Sequence, residues 1–108
     1  MNTAKAVRDV IPCIVNNLKT HPWVSKIYLY GSCAAGTNSA DSDIDIAVFL
    51  EPDKPCGVDE FIELNRMAGF SDFDVQLQVF SEDELDDPCG IVDEIVSFGI
   101  VMYDKRST

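Results

Sequence analysis

Asp41, Asp43 and Asp45 crowd the start of an apolar run, "DIAVFL". If residues 43–50 form a strand, side chains two positions apart leave the same face, so the carboxylates of Asp43 and Asp45 point one way. Like charges that close repel and resist burial, and a cation, a proton or bulk water must make them tolerable. Two oxygen donors aimed at one spot suit a hard cation, of the kind that holds Mg²⁺ together with substrate phosphates. An isolated D-x-D is most often a solvated pair, so its surroundings decide. A calcium loop is excluded: "DSDID" fits its first half, but Ile46 stands where glycine is needed and Pro52 where glutamate is needed.

Gly31-Ser32 follows the strand-like "KIYLY" and precedes the small residues "CAAG". Such a turn exposes backbone N–H groups, and the Ser32 hydroxyl adds a donor, a combination that can hold a phosphate. Alone, G-S is usually just a turn. Joined to D-x-D ten residues on, it suggests a triphosphate held at one end and metals at the other. Asp74 stands at the start of a third strand as Asp43 does at the start of the second. If those strands are neighbours, Asp43, Asp45 and Asp74 converge on two metals, the clamp used in phosphoryl-type displacement. Asp72 has the same parity and is the rival; its place before the strand start favours Asp74.

The elements that must position these groups follow from periodicity. Ala4, Val7, Ile11, Ile14, Val15 and Leu18 lie at helical spacing. Pro12 either kinks that helix or sits in the first turn of one that begins near Asp9, and His21-Pro22 ends it. Strands are expected at "KIYLYG" and "DIAVFL", a loop over 51–57, and a short helix in "VDEFIELNRMAGF" closed by Gly69. "FDVQLQVF" alternates with Val75, Leu77 and Val79 on one face. A last helix from about Pro88 to Phe98 leads through Gly99 into the strand "IVMY", while "SEDELDD" is expected as a solvated loop or a helix start. Interleaved strands and helices give an α/β or α+β class, with helices covering a small mixed sheet and residues 1–108 as one domain.

Eight Lys+Arg against 19 Asp+Glu leave a net charge of −11. That disfavours nonspecific binding to nucleic acid or to an anionic membrane surface, and suits a basic partner or metal ions. Cys13, Cys33, Cys56 and Cys89 form no Cys-x-x-Cys pair and His21 is the single histidine, so free thiols in a reducing cytoplasm are expected rather than a zinc site. No leader or membrane-length apolar run stands out. Trp23, Tyr28 and Tyr30 are expected to pack the first strand, and His21 to have no catalytic partner.

"GSCAAGTNSADSDIDIAV", with "IYLY" before it, resembles the minimal nucleotidyltransferases of the DNA polymerase β superfamily, whose signature is G-S, ten residues, then D-x-D. Gly31, Ser32, Gly36, Ser42, Asp43 and Asp45 match; "FDVQLQVF" looks like the strand of the third carboxylate and "EIVSFGIVMY" like the closing helix, glycine and strand. The resemblance implies a polymerase β-like core that transfers a nucleoside monophosphate, AMP from ATP, to an acceptor hydroxyl. Gly31, Ser32 and Ser42 would bind the nucleotide phosphates; Asp43 and Asp45 would hold both Mg²⁺ ions, and Asp74 would complete the one that activates the acceptor. Members this small look like antitoxins that pair with a helical HEPN-type toxin and add AMP to its tyrosine. One departure stands out: the family commonly reads G-S-x-A-R-G, and Ala35 takes the arginine position. Alanine cannot make the bidentate bonds of a guanidinium. Two further readings follow: a noncatalytic module that covers a partner's active surface, and transfer to a cationic small molecule, for which the chain lacks the usual added helical domain.

Overall fold

The computed structural model describes residues 4–31, 44–69 and 74–107. Helix α1 spans Ala4–Leu18, strand β1 Val24–Tyr30, β2 Ile44–Leu50, helix α2 Val58–Ala68, β3 Val75–Ser81, helix α3 Ile91–Phe98 and β4 Ile100–Asp104. Short 3-10 turns follow β3 at Glu82–Leu85 and β4 at Lys105–Ser107. The four strands form one mixed sheet in the order β3-β2-β1-β4. β1 runs antiparallel to β2 and to β4, whereas β2 and β3 are parallel. The expected class is therefore the one observed, and the second and third strands are neighbours, as the convergence of carboxylates requires.

Central strand β2, "IDIAVFL", is buried on both faces, which is why its apolar run is almost unbroken. Ile44, Ile46, Val48 and Leu50 join Ile14 and Leu18 of α1 and Leu64 and Ala68 of α2 in one core. Ala47 and Phe49 face the other way and join Tyr28 with Val92 and Ile95 of α3. There Phe49 stacks on Phe80 at 5.4 Å between ring centroids and meets Tyr28 edge-on at 5.6 Å. Residues such as Ile14, Leu18 and Phe49 are wholly buried, each worth roughly 1.5–3 kcal/mol relative to exposure. Asp45 is the one polar residue in this strand and shares the α3 face.

One boundary needs correction and two open alternatives are decided. Helix α1 runs from Ala4 through Pro12 over the whole expected stripe, so Pro12 lies inside the helix rather than in the first turn of one that begins near Asp9. Pro12 is exposed, so water can meet the carbonyl it leaves unbonded, and burial of the Ile11–Leu18 stripe outweighs a cost of about 3 kcal/mol. The last helix starts at Ile91 rather than Pro88, because Gly90, at φ 60°, turns the chain immediately before it. The run 81–87 is not simply solvated: it forms the 3-10 turn, with Ser81 Oγ accepting from Asp83 N and Glu84 Oε2 accepting from Ser81 N. Within that turn Glu82 is buried and accepts a hydrogen bond from Ser25 Oγ at 3.0 Å, while its other oxygen pairs with Arg106 Nη1 at 2.7 Å.

That ion pair belongs to a set at the sheet end where β1 starts and β2 and β3 finish. Lys105 Nζ lies 2.6 Å from Glu51 Oε1 and donates to the Pro22 carbonyl, and Lys26 lies 3.7 Å from Asp104. Trp23 packs against the core with Lys54 5.7 Å above its ring, consistent with an anchoring role. His21 is buried, its Nδ1 accepting from Trp23 N at 3.2 Å and its Nε2 3.7 Å from Glu63. Cys13, Cys56 and Cys89 are free and exposed. Among the described residues no helix is long and apolar enough to cross a membrane.

Candidate active site

The opposite end of the sheet, where β1 finishes and β2 and β3 start, carries the residues singled out for chemistry. Gly31 follows β1 directly and adopts φ 72°, a conformation that side chains disfavour. A Cβ there would run into the Asp45 carboxylate, with Oδ2 as its nearest atom and Cγ at 3.1 Å. The glycine thus does two things: it turns the chain out of the sheet and leaves the space that the carboxylate occupies. The antiparallel register agrees, since Tyr30 is the Cα partner of Asp45.

Asp74 stands immediately before β3. Its backbone carbonyl accepts from Ile44 N at 2.9 Å, which ties the starts of β2 and β3 together. Gln76 is the parallel partner of Asp45, and its Nε2 donates to Asp74 Oδ1 at 2.9 Å. Alternation puts residues 74 and 76 on one face of β3, the face that Asp45 shares on β2. Asp45 and Asp74 are therefore brought to one sheet end and one face by two strands far apart in sequence.

Ser32, Ser42 and Asp43 lie outside the described residues, as do Ala35, Gly36, Asp41 and the rival Asp72. Among the described residues no group of three or more His, Cys, Asp or Glu converges on a metal position. What the described part offers suits a hard cation with phosphates: oxygen donors at a strand start, beside a glycine turn that has no side chain in the way.

Tyr30 and Glu94 have a larger part here than their sequence context suggests. Tyr30 packs against the α3-side core, and its phenol is pushed above its ordinary value of 10.0, by burial first and then by the charges of Asp45 and Glu94. A phenol in that setting stays neutral and can donate a hydrogen bond. The signal for Tyr30 was its position directly before Gly31; Glu94 gave none, because only the packing of α3 brings it near. Lys54 lies at the other end of the sheet, over Trp23, away from the carboxylates.

The family model described as Polymerase beta, Nucleotidyltransferase matches residues 13–108. Among solved structures, a nucleotidyltransferase from Sulfolobus solfataricus shares the fold, with TM-score 0.61 and 20% identity over 96% of this chain and 82% of its own. A toxin-antitoxin structure with AMP-PNP is similar at 28% identity and TM-score 0.64, covering 87% of this chain and 73% of that one. A mutant of the toxin-antitoxin MntA-HpeT gives 27% identity and TM-score 0.63, over 89% and 73%. No curated protein matches the chain.

Proposed function

The chain belongs to the polymerase beta nucleotidyltransferase family, and from that premise we propose that it transfers AMP from ATP to a hydroxyl of a partner protein, as an antitoxin that modifies its toxin. The observation that carries this reading is the convergence of Asp45 and Asp74 beside the Gly31 turn, on a sheet whose strand order makes β2 and β3 neighbours. In the reaction the acceptor oxygen forms a bond to the α-phosphorus, the bond from that phosphorus to the bridging oxygen breaks, and pyrophosphate leaves with the electron pair. The acceptor proton passes to a carboxylate or to water.

Gly31 and Ser32 bind the outer phosphates in this reading, and Ser42 adds a hydroxyl. Asp43, Asp45 and Asp74 are the residues that would hold two Mg²⁺ ions, which supply charge neutralisation at the attacking and leaving oxygens. The protein contributes position and electrostatics and needs no nucleophile of its own. Gln76 orients Asp74 through its hydrogen bond. The partner is a toxin by similarity to the toxin-antitoxin structures, and we assign it to the helical HEPN type on the sequence resemblance. The net charge of −11 suits docking to a basic, RNA-cutting surface in the cytoplasm.

Ala35 favours a second reading, in which the chain neutralises its partner by covering it. Calorimetric titration with ATP, with and without Mg²⁺, separates the two. Metal-dependent binding that disappears in Asp43→Asn/Asp45→Asn supports transfer and justifies adding the toxin as acceptor. If that double variant still inhibits the toxin with transfer abolished, occlusion is the function.

A further inference from the structure

The two edges of the sheet differ in kind. Edge strand β3 turns Gln76 and Gln78 to solvent and is preceded directly by Asp74. At the other edge β4 carries Ile100-Val101-Met102-Tyr103 with no charge before Asp104. Phe98, immediately before it, is 79% exposed, and Ile100 and Val101 are 45% and 50% exposed. Their register partners, Leu29 and Tyr28, lie on opposite faces of the sheet, so these side chains straddle the edge. Exposed apolar edges without charges or proline are the kind that proteins cover.

We propose that this edge is covered by a second copy of the same chain, related by a two-fold axis that sets the two β4 strands antiparallel. Charge decides the occupant. A basic partner gains nothing on an uncharged strip and is drawn to the carboxylates elsewhere, whereas the strip is complementary to itself. The start of β4 adjoins α3, whose Asp93 and Glu94 are exposed. Around its end the charges are paired: Lys26 with Asp104, Lys105 with Glu51, Arg106 with Glu82. An antiparallel two-fold lays the acidic end of one copy on the ion-paired end of the other and keeps the acidic ends apart. Met102 is an extra residue in the pairing of β4 with β1, a bulge that breaks regular pairing along the strand. The contact is therefore mainly side-chain packing around Phe98, Ile100 and Val101, and it is small and concentration-dependent.

Sedimentation equilibrium of the full chain under reducing conditions, across a concentration series and at two salt concentrations, tests this. The expected result is a mass rising from that of one chain, 11.9 kDa, toward that of two, and rising further at high salt because the remaining repulsion between acidic chains is screened. Phe98→Ser, at a position too exposed to be needed for folding, and Val101→Lys each weaken the dimer by about tenfold or more; Gln78→Lys on the other edge leaves it unchanged. A monomer at every concentration overturns the proposal. So does a dimer indifferent to Phe98→Ser, or one that salt dissociates.

Discussion

Gly31 and Asp45 show how one missing carbon can matter to a site. The carboxylate sits where a Cβ at position 31 would be, and the backbone there is already left-handed. Gly31→Ala should therefore act twice: as strain of about 1 kcal/mol or more on the turn, and as displacement of Asp45 from its place. We expect Mg²⁺-dependent ATP binding to fall by about tenfold or more while urea denaturation shows a loss of only about 1–2 kcal/mol. Binding that tracks stability alone would mean that the carboxylate's position is not what the glycine protects. The motif spelled out the need for glycine; the contact with Asp45 required the fold.

Among elements, the short turn after β3 does more than connect. Glu82 is 7% exposed and Ser25 2%, and they satisfy one another in the interior while Arg106 reaches in from the chain's last turn. Buried hydroxyls and carboxylates cost stability when a partner is lost. Glu82→Ala should lower the unfolding free energy by about 2 kcal/mol, measured by urea denaturation, with ATP binding unchanged because the turn lies at the far end of the sheet. A change below the noise of that measurement would show that water replaces the carboxylate. Nothing in "SEDELDD" distinguishes Glu82 from its neighbours, since six of the seven residues are polar and the burial of one depends on β1 lying beneath it. Strands and helices, by contrast, were evident from periodicity; the last helix starts at Ile91 rather than Pro88, where Gly90 takes a positive φ, and packing carries α1 from Ala4 straight through Pro12.

For the molecule as a whole, protonation tests the balance of charge. Three groups hold their protons more tightly in the fold than outside it. Partial desolvation of the thiol, although its residue is exposed, then Glu84 and Glu60, raises Cys56 above 9.0; burial, then Asp45 and Glu94, raises Tyr30 above 10.0; and the hydrogen bond to Glu51 raises Lys105 above 10.5. A raised folded value means that the unfolded chain loses the proton first, so the stability these groups contribute is complete below their ordinary values and falls as pH rises through the folded ones. Thermal unfolding should therefore shift to lower temperature as pH climbs past 9.0, and more steeply past 10.0. Tyr30→Phe should flatten the second part of that decline. A melting temperature constant over this range would contradict the tighter hold of these protons in the fold.

The sequence by itself determined the family, the class and the order of elements, because the G-S to D-x-D spacing and the apolar periods are local patterns. It also singled out Asp74, by its place at the start of a strand. Only the tertiary structure decided that β2 and β3 are parallel neighbours, that Gln76 holds Asp74, that Tyr30 feels the charges of both Asp45 and Glu94, and that β4 presents a bare apolar edge. Apart from the Gln76–Asp74 bond, which joins neighbours on one strand face, those relations link segments far apart in sequence and are fixed by burying both faces of β2 at once, so no local spacing encodes them.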